Sequence, residues 1–271
     1  MKITILYIFL LPLLALGCQA QGTGPTVAYG KNPAAGKYYP VRGFSMYCES
    51  YGAGRPLLMI HGNGGSIEAF TSNIPYFSQR YRVIVADSRA HGRSADTGDS
   101  LGFEMMADDY AALLDVMKID SCYVIGWSDG GIIALLLAMR HPGKVISLAS
   151  TGANIWPDST AIVPALWKDE KKEYEAGKNK TNRTTAQKND WKIFMLDWEQ
   201  PNLALSDLHA IRCPSLIIAG DHDVITGEHT LKIFENIRGA QLWILPHSGH
   251  ATLIEHRDEF NKKVDDFFMK R

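Results

Sequence analysis

The sequence has few cysteines and no excess of charge of either sign. Apart from Cys18, which belongs to an N-terminal segment treated below, it holds only Cys48, Cys122 and Cys213, and an odd count cannot be fully paired. Cys122 and Cys213 lie in or beside apolar, strand-like runs, which indicates buried free thiols. No Cys/His spacing predicts a metal site. The 28 Lys and Arg residues nearly balance 29 Asp and Glu residues, which argues against a nucleic acid as partner.

The N-terminus lacks an apolar run long enough to span a membrane. Residues 3–16 are almost all apolar, but a transmembrane helix needs about 20 such residues. A lysine before this run and small residues after it predict an export signal over residues 1–20. We therefore expect an exported protein.

Two cleavage outcomes are open for this signal. Residues 15–18, ALGC, resemble a bacterial lipobox, with Ala where Leu is usual, and would leave a lipidated Cys18 at the mature N-terminus. Ordinary cleavage near Ala20 is the other outcome. We favour the lipoprotein, periplasmic or anchored to the membrane through Cys18. Residues 21–37, rich in Gly, Pro and Ala, are predicted to be a flexible tether.

The rest of the chain, residues 38–271, has the pattern of one α/β domain. A hairpin is predicted over 39–51, and apolar strand-like runs then alternate with helix-like stretches. This alternation predicts a doubly wound, mostly parallel, eight-stranded sheet. The predicted strands cover 56–60, 82–86, 122–125, 144–149, 215–219 and 241–245, and the main predicted helices 103–117, 132–139, 228–237 and 253–269. The pattern breaks at 152–207, where tryptophans lie in a polar background, and we predict a small helical lid there.

One short motif carries the strongest chemical signal. Residues 126–131, GWSDGG, join a predicted strand to a predicted helix and have the form of a nucleophile elbow with Ser128 at its apex. A serine hydroxyl needs a base, and an imidazole base needs a carboxylate to orient it. Asp223 and His250 each follow a strand end, in the order Ser…Asp…His, and strand ends meet at one edge of a parallel sheet.

A glycine-rich turn, residues 61–65, follows another strand end. Its backbone can donate an N–H to a developing oxyanion, alongside the N–H of Asp129. His91, in the polar loop 87–94, is a weaker candidate for the base, because such a histidine more often makes structural hydrogen bonds.

Together these motifs resemble the α/β-hydrolase family over nearly all of residues 38–271. HGNGG is similar to the family's oxyanion turn, DSRAHGRS to its D-x-R-x-x-G-x-S loop, AGDHD to its acid turn and SGH to its base. The resemblance implies Ser128 as nucleophile, Asp223 as acid and His250 as base. It implies Asn63 (or Gly64) and Asp129 as the oxyanion amides. Family spacing favours Asp223 over Asp221 and His250 over His247.

Asp129, beside the proposed nucleophile, has two readings. It could be an acid that is electrostatically favourable at a helix N-terminus. The other reading follows from GWSDGGI, GAN, CPSLIIAG and DEFNK, which together resemble the biphenyl-hydrolase-like, valacyclovir-hydrolase group. Members of that group cleave α-amino-acid esters, and the acid beside the serine recognises the amine. The resemblance therefore implies Asp129, with Gly64 and Trp127 nearby, as substrate contacts.

These observations predict a cofactor-independent serine hydrolase that cleaves a small carboxylic ester through an acyl-enzyme. We expect a small-molecule ester as its partner and a monomeric chain. An amide, lactone or C–C bond cleaved by the same triad is the first alternative. A hydrolase-fold protein that only binds its ligand is the second, although such proteins typically lack a triad member and this chain lacks none.

Overall fold

The computed structural model describes residues 27–270. The predicted export signal and the possible lipidation site Cys18 lie outside the described residues. Within them, eight strands form one sheet: β1 (Gly36–Val41), β2 (Phe44–Tyr51), β3 (Arg55–Ile60), β4 (Tyr81–Ala86), β5 (Cys122–Trp127), β6 (Val145–Thr151), β7 (Ser215–Gly220) and β8 (Gln241–Leu245). The α-helices are α1 (Ile74–Phe77), α2 (Phe103–Val116), α3 (Asp129–Arg140), α4 (Pro164–Gly177), α5 (Thr185–Glu199), α6 (Gly227–Glu235), α7 (Thr252–Glu255) and α8 (Arg257–Met269).

The strand order confirms the predicted eight-stranded, mostly parallel sheet. The strands lie in the order β1-β2-β4-β3-β5-β6-β7-β8. The pairs β1–β2 and β2–β4 are antiparallel, and every pair from β4 to β8 is parallel. The loops that follow β3 to β8 therefore open at a single edge of the sheet.

Both faces of the sheet are covered, which explains the uninterrupted apolar strands. Successive side chains of a strand point to opposite faces. In β3, Leu58 and Ile60 pack in the core that includes α2 and α3, whereas Leu57 and Met59 pack in the core that includes α1 and α8. A strand with a helical layer on each side needs apolar residues at every position.

The hairpin is longer at its start than the sequence predicted. Residues 36 and 37, assigned above to the tether, belong to β1. Residues upstream of them are also tied to the sheet, because the N–H groups of Gly30 and Asn32 donate to the carboxylate of Glu49 at 2.8 and 2.9 Å. The glycine-rich composition did not reveal this contact, since the acceptor lies 17 residues or more away in the chain.

The C-terminal helix predicted over 253–269 is divided in two. His256 leaves the helical conformation (φ −119°, ψ 39°) and separates α7 from α8. The carboxylate of Glu255 accepts hydrogen bonds from the N–H of Gly249 at 2.6 Å and the hydroxyl of Ser248 at 3.3 Å. Helix α7 therefore holds the loop after β8, while α8 packs against the sheet.

The segment 152–207 contains α4 and α5, followed by a 3₁₀ turn over Leu205–Ala210. Elsewhere the ends of predicted elements shift by a few residues. Strand β6 extends to Thr151 because Ser150 and Thr151 pair with Ile217 and Ile218 of β7.

The three described cysteines are free: Cys48 and Cys122 are buried, whereas Cys213 is only half-buried. None of the helices in residues 27–270 is long and apolar enough to cross a bilayer.

Candidate active site

Ser128 occupies a left-handed backbone conformation between β5 and α3. Its φ is 57° and its ψ is −122°, a conformation that costs a non-glycine residue about 1–3 kcal/mol. Its N–H donates to the carbonyl oxygen of Thr151 at 2.9 Å. A Cβ on Gly126 would lie 2.0 Å from the oxygen of Gly130, and one on Gly130 would lie 1.9 Å from the oxygen of Ile60. The turn is therefore too tight for side chains at these glycines, and it holds Ser128 at its apex.

The structure brings Ser128, His250 and Asp223 together. The Nε2 atom of His250 lies 2.9 Å from the Oγ of Ser128, and its Nδ1 lies 2.6 Å from the Oδ1 of Asp223. Asp223 is buried, and its Oδ1 also accepts the N–H of Ile225 at 3.0 Å. An imidazole held between a hydroxyl and a carboxylate has the geometry needed to take the hydroxyl proton and to be stabilised as a cation.

The rival residues make other contacts. Asp221 accepts the N–H of Ser248 at 3.1 Å and pairs with the ring of the exposed His222 at 2.8 Å, so it holds the loop that carries His250. His247 is exposed, with φ 56°.

His91 is buried and donates from Nδ1 to the carbonyl oxygen of Arg89 at 2.8 Å, as expected of a structural histidine. Burial and its neighbour His61 lower the pKa of His91 to about 4.

Gly152 is a site residue that the sequence did not reveal. It follows β6 with φ +65°, and a Cβ there would lie 2.7 Å from the Cε1 and 2.9 Å from the Nδ1 of His250. In the sequence, residues 152–154 (GAN) contribute only to the resemblance to the biphenyl-hydrolase-like group. A glycine beside a strand end has no distinctive pattern, so only the packing shows that it makes room for the imidazole.

Gly62 makes the close approach to Ser128 in the predicted oxyanion turn. A Cβ on Gly62 would lie 2.9 Å from the Cβ and 3.5 Å from the Oγ of Ser128. The N–H groups of Asn63 and Asp129, the predicted oxyanion donors, have no backbone acceptor in the described part of the chain. Gly64 lies further out: it is exposed, with φ +61° and nothing within 4 Å of its Cβ position.

His61 holds this turn in place. Its Nδ1 donates to the carbonyl oxygen of Gly62 at 2.7 Å, and its Nε2 accepts the N–H of Ser88 at 2.9 Å. Burial lowers the pKa of His61 to about 4, so the ring is neutral near pH 7 and keeps one donor and one acceptor.

Trp127, predicted as a substrate contact, lies against the loop of the base. Its indole N–H donates to the carbonyl oxygen of His250 at 2.9 Å, and the two ring centroids are 5.9 Å apart. The structure therefore assigns Trp127 to holding His250, a role that the motif did not indicate.

Asp129 is buried under α5, with only 3% of its surface exposed. Its Oδ2 accepts the Nδ2–H of Asn63 at 3.0 Å, and its carboxyl group lies close to that of Asp197 on α5. Two neighbouring carboxylates repel each other when both are ionised, so one proton shared between them is favourable. Burial raises the pKa of Asp129, and burial together with the charge of Asp129 raises the pKa of Asp197 well above its usual value.

Asp197 had no signal in the sequence, because it lies in a polar, charged segment with no motif.

Within residues 27–270, no cluster of His, Cys, Asp and Glu side chains has the arrangement of a metal site.

A doubly wound sheet with a serine, histidine and aspartate assembled at the carboxyl edge of its strands defines a hydrolase of the α/β type. Sequence comparison leads to the same class. A family model described as alpha/beta hydrolase fold matches residues 55–190. The chain belongs to this family.

Two individual relatives match most of the chain. The human protein named Serine hydrolase BPHL is 27% identical over 277 residues, which cover 96% of this chain and 95% of that protein. A 2-hydroxymuconate semialdehyde hydrolase of Pseudomonas sp. (strain CF600) is 27% identical over 281 residues, covering 88% and 95%. Among solved structures, a meta-cleavage product hydrolase from Pseudomonas fluorescens IP01 superposes with a TM-score of 0.72 at 23% identity, covering 88% of this chain and 99% of that one. At this identity the structural likeness supports the fold alone.

Proposed function

We propose that this hydrolase cleaves small carboxylic esters through a covalent acyl-enzyme on Ser128. The observation that carries the proposal is the continuous hydrogen-bonded series from Ser128 through His250 to Asp223, at 2.9 and 2.6 Å. Ser128 Oγ attacks the ester carbonyl carbon while His250 Nε2 takes its proton. His250 then gives that proton to the departing alcohol, and water releases the acyl group by the reverse steps. Asp223 stabilises the imidazolium that forms in each step.

The oxyanion that develops on the carbonyl oxygen is stabilised by backbone N–H groups of Asn63 and Asp129. Their position beside Ser128 and their lack of backbone acceptors in the described chain support this role. Removing one such donor typically costs roughly 10²–10³-fold in kcat. The helix N-terminus of α3 adds a partial positive charge at the same place.

A preference for esters with an α-ammonium group is the finer part of the proposal. Asp129 follows the nucleophile directly and is buried beside the acyl site, and a buried carboxylate is favourable only when it is paired or protonated. An ammonium group on the acyl carbon next to the ester supplies such a partner. The likeness to the relative named Serine hydrolase BPHL, together with the resemblance on sequence motifs, supports the same preference.

Labelling with a fluorophosphonate probe tests the catalytic part of the proposal. We expect the probe to modify Ser128 and to lose reaction in Ser128→Ala. Folded protein that stays unlabelled would instead support a binding function.

For the ester preference, we would compare kcat/KM for the benzyl esters of L-valine and 3-methylbutanoate. The ratio should exceed one and fall by roughly 10²-fold in Asp129→Asn, since breaking a buried charge pair costs about 2–5 kcal/mol. An unchanged ratio would contradict it.

A C–C bond, lactone or amide hydrolase using the same triad is the second candidate, because one relative is named 2-hydroxymuconate semialdehyde hydrolase. That name denotes a carboxylate substrate. Asp129 and Asp197 repel a carboxylate held beside Ser128, which favours the cationic ester instead. Faster turnover of an anionic substrate than of the L-valine ester would reverse this choice.

We also propose that the protein is exported, and that it is anchored through a lipidated Cys18. The support is the sequence alone: the apolar run at 3–16 and the lipobox-like residues 15–18.

A further inference from the structure

Helix α5 lies across the loops that follow three adjacent strands. Asn189 donates from Nδ2 to the carbonyl oxygen of Ala90, after β4, at 2.9 Å. Four residues further on, the carbonyl oxygen of Ile193 accepts the Nδ2–H of Asn63, after β3, at 3.2 Å. Four residues make about 6 Å of helix, close to the spacing of about 4.8 Å between strands. The next residue on this face, Asp197, therefore falls over the loop after β5.

At that position the carboxyl group of Asp197 lies close to that of Asp129, and each affects the ionisation of the other. A proton between them leaves the pair with one negative charge. Other groups face the pair from four further elements: Asn63 after β3, His91 after β4, His250 after β8 and Glu170 on α4. Burial and the nearby Glu173 raise the pKa of Glu170 to about 7, so Glu170 itself adds little negative charge beside the pair below neutral pH.

His91 contributes an acceptor without a donor. Only 3% of its surface is exposed, and its Nδ1–H is used by Arg89. Its Nε2 therefore carries a lone pair, and no group in residues 27–270 donates to it. His91 and Asp129 are close enough for their charges to interact. A buried unpaired acceptor is unfavourable, so a ligand group that donates an N–H to this atom would be stabilised.

We propose that Asp197 is the second carboxylate of the ammonium pocket, that it shares one proton with Asp129 in the free enzyme, and that the substrate ammonium replaces this proton. The inference rests on the proposed function, which supplies Asp129 as the partner of the ammonium. On binding, the shared proton leaves to the buffer. The three N–H donors of the ammonium then face Asp129, Asp197 and the lone pair of His91. Asp197 is thus a specificity-determining residue for α-aminoacyl esters.

Proton release on binding tests the proposal without turnover. The probe is the benzyl ester of L-valine, added to Ser128→Ala protein in a calorimeter at about pH 6, where an α-amine is protonated. Titrations in two buffers of different ionisation enthalpy give the number of protons released. We expect a substantial fraction of one proton from Ser128→Ala and none attributable to the pair from Ser128→Ala/Asp197→Asn. Proton exchange by His250 is common to both proteins and cancels in the difference.

Equal proton release from the two proteins would overturn the shared proton, and absence of binding to Ser128→Ala would overturn the pocket. Neither result bears on hydrolysis itself, because labelling of Ser128 and cleavage of the 3-methylbutanoate ester are measured separately. Asp190→Asn in the Ser128→Ala background is the matched control. Asp190 is an exposed carboxylate on the same helix, so its removal should leave proton release unchanged.

A kinetic experiment tests the pair of Asp129 and Asp197 in the active enzyme. We would measure the kcat/KM ratio of the L-valine and 3-methylbutanoate esters for wild type and Asp197→Asn from about pH 5.5 to 8.5. Dividing the wild-type ratio by the Asp197→Asn ratio cancels the titrations of the substrate amine and of His250. The quotient should rise roughly fivefold or more with pH, because the pair gains a second negative charge that Asn cannot supply. A quotient that stays at one throughout would overturn the role of Asp197.

Discussion

Gly152 contacts the imidazole of His250 from the end of β6, where it takes a φ of +65°. An added methyl group would lie 2.7 Å from the Cε1 of His250, a distance that real contacts do not tolerate, and an alanine at this φ is strained as well. Either the imidazole or the loop must move. Since His250 needs to stay within hydrogen-bond reach of Ser128, a shift of about 1 Å is costly for the reaction.

We therefore expect Gly152→Ala to lower the rate at which Ser128 reacts by roughly 10²-fold while the protein stays folded. The measurement is the rate of fluorophosphonate labelling of Ser128, with the Tm as a check on folding. Gly143→Ala is the matched control, because Gly143 is exposed and nothing lies within 4 Å of its Cβ position. Wild-type labelling by Gly152→Ala would show that the loop relaxes without moving the base.

The raised pKa of Asp197, on α5, makes the stability of the protein depend on pH. Its pKa is raised well above the usual value, by burial first and then by Asp129. The unfolded chain loses this proton near pH 4, whereas the folded protein keeps it to higher pH. Stability therefore falls as pH rises from about 4 until it passes the raised pKa. The role proposed for Asp197 therefore comes at the expense of stability at neutral and alkaline pH.

Asp197→Asn should remove this pH-dependent loss, because an amide does not ionise and can still donate to Asp129. The difference in Tm between the variant and wild type should be small near pH 4 and grow in favour of the variant towards pH 8. A gain of about 1 kcal/mol corresponds to about 2–4 °C in a chain of this size. Thermal unfolding followed across this pH range gives the result. A constant difference, or a loss of stability at high pH, would contradict the assigned direction.

At the scale of elements, Glu49 in β2 ties the chain before β1 to the sheet. It is fully buried, and its oxygens accept the N–H groups of Gly30 and Asn32 and the hydroxyls of Tyr47 and Tyr51. A carboxylate can accept all four bonds, whereas an amide has one oxygen. In the described part of the segment that composition alone assigned to a tether, this carboxylate supplies an acceptor for two backbone N–H groups.

Glu49→Gln should release this segment. The glutamine NH₂ faces donors rather than acceptors, and a buried donor left unpaired costs about 1–3 kcal/mol. We expect faster tryptic cleavage after Lys31 in Glu49→Gln than in wild type. Glu235→Gln, an exposed substitution on α6, serves as the control and should cleave at the wild-type rate. Equal cleavage of all three proteins would mean that other contacts hold the segment.

At the scale of the whole molecule, the topology of the sheet assembles the site. The loops after β3, β5, β6, β7 and β8 all open at one edge, and they bring Asn63, Ser128, Gly152, Asp223 and His250 to it. Helix α5 covers part of this edge through contacts four residues apart. The full chain has no excess of charge, with 28 basic and 29 acidic residues.

Substitution of Cys18 tests the proposed export and lipid anchor of the whole protein. When the full chain is expressed with its own N-terminus in a bacterial host, Cys18→Ala should move the protein from the membrane fraction to the soluble periplasmic fraction. The reason is that membrane attachment through acyl chains scales with buried CH₂ groups, and the variant has none. Immunoblots of the fractions give the measurement. Equal soluble localisation of both proteins would support ordinary cleavage near Ala20 instead.

Local patterns in the sequence were sufficient to predict the sheet and the three side chains that the structure brings together at its edge. Strands β3 to β8 are short apolar runs because helices cover both faces, and the elbow around Ser128 is a local turn with its own glycine requirements. Asp223 and His250 could be found because each follows a strand end. All of these signals depend on neighbours along the chain or on a topology that the chain order implies.

Contacts between distant segments decided the rest. The pairing of Asp197 with Asp129, the space that Gly152 leaves for His250, the division of the last helix at His256 and the ordering of residues near Gly30 each join segments far apart in sequence. No local periodicity encodes such a contact, because its free energy depends on which buried groups meet and whether each is paired. The hydrolase class could thus be predicted from the motif around Ser128, whereas the protonation of Asp129 beside it depends on the tertiary fold.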